Sequence, residues 1–176
     1  MDASTFAAML IWAAQAIGVP TPPMPVIYPA VPEQQICALV TSTPCDPYIH
    51  ARQRPTVWLG VASRSGKWVG VSEGVEKGSM YWKTVLIHEF THVAQSVAHK
   101  LQGRLCRRVG ERQARLVSAA WLRTQGTSYE EVTGWVMPEW EEASSKEIQV
   151  CGHPRLHIER KKSYENRVQR GASPGG

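Results

Sequence analysis

Residues 85–95 have the sequence VLIHEFTHVAQ, which lies inside the longest uninterrupted helical pattern of this 176-residue chain. The pattern predicts a helix from about Met80 to His99 that is closed by Gly103. Apolar residues flank the two histidines on both sides, so this helix is expected to be buried around a polar centre. Two His and a Glu in such a helix would be costly unless a ligand or a partner satisfied them.

The HExxH motif in this stretch predicts a metal site. His88 and His92 are one helical turn apart on the same face, so their imidazoles can converge on one ion. Glu89 is displaced by about 100° around the helix, and it therefore reaches a water beside the metal, where a general base must lie. Zinc suits the site because it takes imidazole and carboxylate ligands and needs no redox partner. The alternative is that the motif arises by chance.

A zinc ion held by two histidines needs a third protein ligand, and the sequence restricts the choice. The metzincin pattern, HExxHxxGxxH, fails because Gln95 and Ala98 stand where it requires Gly and His. No Asp follows the motif, so an Asp ligand downstream is excluded.

Glu111 is the favoured third ligand. It lies far enough beyond His92 for a helix end, a turn and a second helix that runs back. The small Ala114 would let that second helix pack closely against the first. The alternative role for Glu111 is a surface acid paired with neighbouring arginines, worth under ~1 kcal/mol. His153 and His157 are the reserve candidates for the third ligand.

Short β-rich segments precede the motif. They predict strands at Pro25–Tyr28, Thr56–Val61 and Lys67–Val71, with a turn at Ser63–Gly66 that pairs the last two antiparallel. Residues 31–50 are expected to be irregular, apart from one helical turn near Glu33–Leu39.

Three further helices are predicted from capping residues and breakers. They are an N-terminal helix capped by Asp2 or Ser4 that buries Phe6, Leu10 and Ala13 or Ala14, a helix from about Leu105 to Gln125 that ends at Gly126, and a helix that opens near Thr127 and is broken by Pro138. The expected fold is α+β, with a small antiparallel sheet of about three strands packed on a zinc-binding helix pair. Residues 1–150 are expected to form a single domain, and residues 151–176 a basic, partly flexible extension.

The charge of the chain is positive but unevenly distributed. Twenty Lys and Arg against 15 Asp and Glu give a net charge of +5. Residues 99–123 are strongly basic and residues 127–150 are acidic, which more often indicates internal pairing than nucleic-acid binding. No apolar run approaches the ~18 residues of a membrane span. Neither a nucleic acid nor a membrane is therefore the expected partner.

The N-terminus and the cysteines bear on location. The first residues resemble a signal peptide, but they lack its positive charge and Asp2 has the wrong sign, so a helix is favoured. A cytoplasmic location with reduced thiols follows, and two disulfides are the alternative for an exported protein. The cysteines have no CxxC spacing, which argues against a zinc ribbon. They are Cys37, Cys45, Cys106 and Cys151.

The HEFTH motif followed by a Glu on the next helix resembles the gluzincin class of zinc metallopeptidases, at the size of the minigluzincins. A closer resemblance is to a group of small, largely uncharacterised bacterial and phage HExxH proteins. Residues 85–95, the segment from Cys106 to Ala114 around Glu111, and WLRTQG at 121–126 carry it. Arg115 departs from these proteins, which tend to have Tyr there.

This resemblance implies that His88, His92 and Glu111 bind zinc and that Glu89 is the base in peptide-bond hydrolysis. A gluzincin also needs a Tyr or His to stabilise the oxyanion, and the candidates are Tyr129, His99, His153 and His157. We therefore expect a zinc metalloendopeptidase acting on a protein or peptide. One alternative is a non-catalytic, zinc-stabilised phage virion component, which would be virion-associated and bind a virion or host protein. The other is a regulatory peptidase that cuts one specific partner.

Overall fold

One helix, Met80–Ala98, occupies the centre of the protein, as seen in a computed structural model. The structure describes residues 2–32, 35, 36, 38, 39, 59–98 and 103–135. Its elements in chain order are α1 (Ala3–Ala16), β1 (Val26–Val31), β2 (Gly60–Ala62), β3 (Trp68–Ser72), α2 (Met80–Ala98), α3 (Gly103–Thr124) and α4 (Tyr129–Thr133). The predicted α+β class is confirmed, and α2 packs against α1, β2, β3, α3 and α4.

Side-chain caps fix where the helices begin. Asp2 caps α1, because its carboxylate accepts the Thr5 backbone N–H at 2.9 Å, and this bond lowers the pKa of Asp2 to about 2. Ser128 caps α4 in a reciprocal capping box with Glu131. Of the two predicted caps for the first helix, Asp2 is therefore the one observed.

Glycine determines where two of the helices end, and two of the predicted helix ends are wrong. Gly126, at φ 79°, follows the end of α3 as predicted. The prediction that Pro138 breaks the last helix is wrong, because α4 ends at Thr133 against Gly134 in the left-handed conformation. The prediction that Gly103 closes α2 is also wrong. Gly103 instead begins α3, a position where the first N–H groups need no intrahelical partner.

The sheet contains one pairing that the sequence did not predict. β2 and β3 form the expected antiparallel hairpin, with Gly60 opposite Val71. β1, however, pairs with β3 in parallel, so the order is β1-β3-β2 and the prediction of an all-antiparallel sheet is wrong. β2 starts at the end of the sheet where β1 finishes, and it runs back so that β3 can begin beside the start of β1.

A register shift interrupts β1 at Pro29, which cannot donate to the ladder. The Pro29 carbonyl instead accepts the indole N–H of Trp82 at 3.3 Å. Trp82 is fully buried and begins the core face of α2. The core is built from apolar residues of α1, α2, α3 and β3, chiefly Leu10, Ala13, Ile17, Val69, Val71, Leu86, Ile87, Phe90, Val93, Val117 and Leu122.

Several predictions fall partly or wholly outside the described residues. They are residues 56–58 of the second strand, the C-terminal extension 151–176, His99, His153, His157, Cys37, Cys45, Cys151 and the side chain of Cys106. The described residues 35, 36, 38 and 39 have helical backbone, which agrees with the predicted turn there. No helix in the part of the chain that the structure describes is long and apolar enough to cross a bilayer.

Candidate metal centre

Three predicted ligands converge where α2 packs against α3. The Nε2 atoms of His88 and His92 lie 3.1 Å apart, with both rings one turn apart on α2. Glu111 faces them from α3, with Oε2 at 3.2 Å from the nitrogen of His88 and Oε1 at 3.3 Å from that of His92. The structure therefore brings together the three residues that sequence spacing selected, and it orients Glu111 towards the histidines.

These donor atoms lie close enough together to bind one small cation. Metal–ligand bonds of about 2.0–2.2 Å at tetrahedral angles place neighbouring ligand atoms about 3.3–3.5 Å apart. The two imidazole nitrogens are 3.1 Å apart, and each lies 3.2–3.3 Å from a different oxygen of the Glu111 carboxylate. One ligand atom from each residue lies within 4.8 Å of the others. The donor set of two imidazoles and one carboxylate therefore fits a divalent metal ion.

The site is buried on the histidine side and open on the glutamate side. The side chains of His88 and His92 are 18% and 17% exposed, whereas that of Glu111 is 52% exposed. Three protein ligands with one open side are typical of catalytic metal sites, whereas structural sites are usually closed by four protein ligands.

The carboxylate and the imidazoles shift each other's pKa. Burial lowers the pKa of His92, but the hydrogen bond and the charge of Glu111 outweigh burial and raise it to about 9. Burial likewise raises the pKa of Glu111, but its bonds to His88 and His92 prevail and hold that pKa far below its usual range. A metal ion that binds here at neutral pH must therefore displace a proton from His92.

Glu89 lies beside this group without joining it. Its side chain is buried, and burial raises its pKa, with a further upward contribution from Glu111. His88, His92 and a hydrogen bond from the Ala62 backbone N–H act in the opposite direction. A buried carboxylate with a raised pKa, next to a metal site, has the properties of a general base.

Strand β2 passes very close to Glu89, and Gly60 makes this approach possible. A Cβ atom at Gly60 would lie 2.8 Å from Glu89 Oε1 and 2.7 Å from Val85 Cγ1. Such distances are shorter than van der Waals contact, so any larger residue would displace the carboxylate or the strand. The sheet therefore fixes the position of Glu89, while the helix pair fixes the ligands.

Tyr129 is the one candidate for oxyanion stabilisation whose side chain the structure describes. Burial raises the pKa of its phenol, Arg115 lowers it, and Glu111 raises it. The phenol therefore lies within electrostatic reach of the metal site and stays protonated at neutral pH, as a hydrogen-bond donor must.

Sequence reasoning missed two functional features. Gln95 was noted only because it breaks the metzincin pattern, yet its side chain contacts His92 and the backbone of α3. Gly60 was read only as part of a strand. A signal existed for Gln95, since a polar residue three positions after His92 on an otherwise apolar helix face needs a buried partner.

Comparisons with protein-family models, with curated proteins and with solved structures give no match.

Proposed function

We propose that this protein is a zinc metallopeptidase in which His88, His92 and Glu111 bind zinc and Glu89 is the general base. One observation carries the proposal: two imidazoles and a carboxylate lie close enough to bind one cation, and a separate buried carboxylate, Glu89, lies beside them. A site that only stabilised the fold would need the three ligands and not a second carboxylate beside them. Glu89 therefore favours an enzyme over a zinc-stabilised binding protein.

The donor set supports zinc over the harder cations. Magnesium and calcium prefer oxygen ligands, whereas two imidazoles and one carboxylate are a common catalytic zinc set. A zinc ion held there would act as a Lewis acid towards a peptide carbonyl and would bring the pKa of a water towards ~7.

Glu89 has two tasks in this proposal. Its carboxylate accepts the proton of the attacking water, and it then passes that proton to the nitrogen of the leaving amine. The raised pKa of Glu89 brings it closer to that of a base suited to neutral pH, because burial destabilises its charged form. The Ala62 N–H holds the carboxylate in place during the transfer.

The sheet supports an extended peptide as the substrate. Among the strands that the structure describes, β2 lies at the edge of the sheet, and it runs directly past Glu89. An extended segment that pairs with such an edge would hold its backbone carbonyls beside the base. The half-exposed Glu111 leaves the site accessible from that side.

Cleavage of a peptide library, read by mass spectrometry, tests the proposal. The zinc-loaded protein should cleave peptides, and Glu89→Gln should lower the rate by about 10²–10⁴-fold while retaining zinc. Glu73→Gln, which changes an exposed acid elsewhere, is the matched control and should cleave like the wild type. Glu111→Ala should lose zinc and activity together.

Two outcomes would contradict the proposal in different ways. If Glu111→Ala binds zinc as tightly as the wild type, the third ligand is wrong. If the wild type binds zinc but cleaves no more than Glu89→Gln, the protein is the non-catalytic, zinc-stabilised alternative.

A further inference from the structure

Gln95 is fully buried, and its amide connects the two helices that carry the metal ligands. Its Oε1 lies 2.8 Å from Nδ1 of His92. Its Nε2 lies 3.1 Å from the carbonyl oxygen of Gly110 and 2.7 Å from Oε1 of Gln113. Gly110 and Gln113 flank Glu111 on α3, so this single side chain contacts one ligand directly and the helix segment of another.

The direction of each hydrogen bond follows from the backbone. The Gly110 carbonyl can only accept, so the atom of Gln95 that faces it must be the NH₂ group. The Oε1 of Gln95 therefore faces His92, and because this oxygen can only accept, Nδ1 of His92 must carry a proton. With Nδ1 protonated, the lone pair needed for a metal lies on Nε2, the atom that faces His88 and Glu111.

The same contacts set the position of α3 relative to α2. Both acceptors of the Gln95 amide lie within two residues of Glu111, on the side of α3 that faces α2. Sliding or rotating α3 would break these bonds inside a buried region, where an unpaired amide loses its hydrogen bonds to protein without regaining them from water. The amide therefore opposes movements that would carry Glu111 away from the histidines.

We propose that Gln95 is a positioning residue that holds His92 with its proton on Nδ1 and keeps Glu111 in register with His92. The inference rests on the proposed metal site and extends it, because partners of this kind orient ligating histidines and contribute 10–100-fold to metal affinity. A Gln that served only to pack the helices would affect stability and leave His92 and metal affinity unchanged.

Three variants separate positioning from packing. Gln95→Met keeps the approximate size of the side chain and removes both hydrogen-bonding groups. Gln95→Glu keeps an acceptor for His92 but places a second oxygen against the Gly110 carbonyl. Ser118→Ala is the matched control. The buried Ser118 hydroxyl lies between the same two helices and donates to the backbone carbonyls of Ala114 and Thr84, not to any of the proposed ligands.

Zinc affinity, measured by chelator competition, is the first readout. Gln95→Met should bind zinc about 10–100-fold more weakly than the wild type. Gln95→Glu should recover most of that loss while the metal-free protein melts at a lower temperature. Ser118→Ala should lower the melting temperature and leave zinc affinity unchanged. Wild-type affinity in Gln95→Met would overturn the proposal.

Proton NMR of the histidine side chains is the second readout, and it requires no metal. The Nδ1–H of His92 donates to Gln95 whether the ring is neutral or protonated, so the wild type should show this proton protected from solvent exchange. Gln95→Met should lose the signal, and Gln95→Glu should keep it. A wild-type His92 without a protected Nδ1–H would overturn the inference, even if zinc binds. A wild type that binds no zinc would overturn the proposed function instead, and the Nδ1–H signal would still decide the role of Gln95.

Discussion

His92 has a partner on each ring nitrogen, and the two partners act on it differently. Gln95 contacts Nδ1 and fixes its proton, while Glu111 contacts Nε2 and stabilises a second proton there. In the proposed site a metal ion and a proton would compete for Nε2, and this competition should be visible in the pH dependence of both stability and affinity.

In protein stripped of metal, the pKa of His92 rises from 6.5 to about 9 on folding. The stability that this group contributes is fully present below pH 6.5 and is lost as pH rises through about 9. The contribution of Glu111 to stability depends on pH in the opposite direction. Its pKa falls below 4.5 on folding, so this contribution is present above pH 4.5 and is lost as the pH falls. The melting temperature of stripped protein should therefore decline between pH 6.5 and 9.

Zinc affinity should change in the other direction over the same range. Because one proton leaves His92 when zinc binds, the apparent affinity should rise about tenfold per pH unit up to about pH 9. Chelator competition at several pH values measures the slope. An affinity that does not vary with pH would show that His92 is unprotonated in the folded protein.

At the scale of elements, the site depends on two separate contacts of α2. Its contact with α3 brings the three proposed ligands together, and its contact with β2 positions Glu89, the proposed base. A change in one contact can therefore damage one function and spare the other.

Gly60→Ala tests this separation. The added methyl group would press on Glu89 and Val85, so the carboxylate must move from the position that the Ala62 N–H supports. We expect peptidase activity to fall at least tenfold while zinc affinity stays close to that of the wild type, because the three atoms nearest to the added methyl group belong to Val85 and Glu89. Gly74→Ala, at a glycine whose added Cβ would meet only Ser72 Oγ at 3.5 Å, is the control. Loss of zinc from Gly60→Ala would mean that β2 also supports the ligands.

The helical part of the site could be predicted from sequence, and the sheet part could not. The spacing of His88 and His92 is a property of one helix. Glu111 was predicted because the chain between it and His92 is long enough for a turn and a second helix that runs back along the first. The parallel pairing of β1 with β3 joins strands that are far apart in the sequence, which no local pattern specifies. The roles of Gly60 and Gln95 could not be predicted because they consist of contacts with other elements.

At the scale of the molecule, α1 supports the back of α2, on which the site is built. Phe6 contacts Trp82, with ring centroids 6.1 Å apart, and Leu10 is 2% exposed within the same core. The candidate site therefore rests on a cluster of buried apolar residues that does not include His88, His92 or Glu111.

Leu10→Ala should destabilise the protein by about 2–5 kcal/mol, because it leaves a cavity in a closely packed core. Ile11→Ala is the control on the same helix, since Ile11 is 41% exposed and its truncation should cost under ~0.5 kcal/mol. Urea denaturation measures both. Equal effects of the two changes would contradict the position of α1 against the core.

The parallel pairing of β1 with β3 also bears on the order in which the protein folds. The ligands come from consecutive helices, so their contacts are local in sequence and close quickly. β1 must find β3 across a much longer loop, and such contacts form slowly. We therefore expect the newly made chain to bind its proposed metal while the sheet is still incomplete. Glu89 should reach its final position only when the β2–β3 hairpin packs against α2.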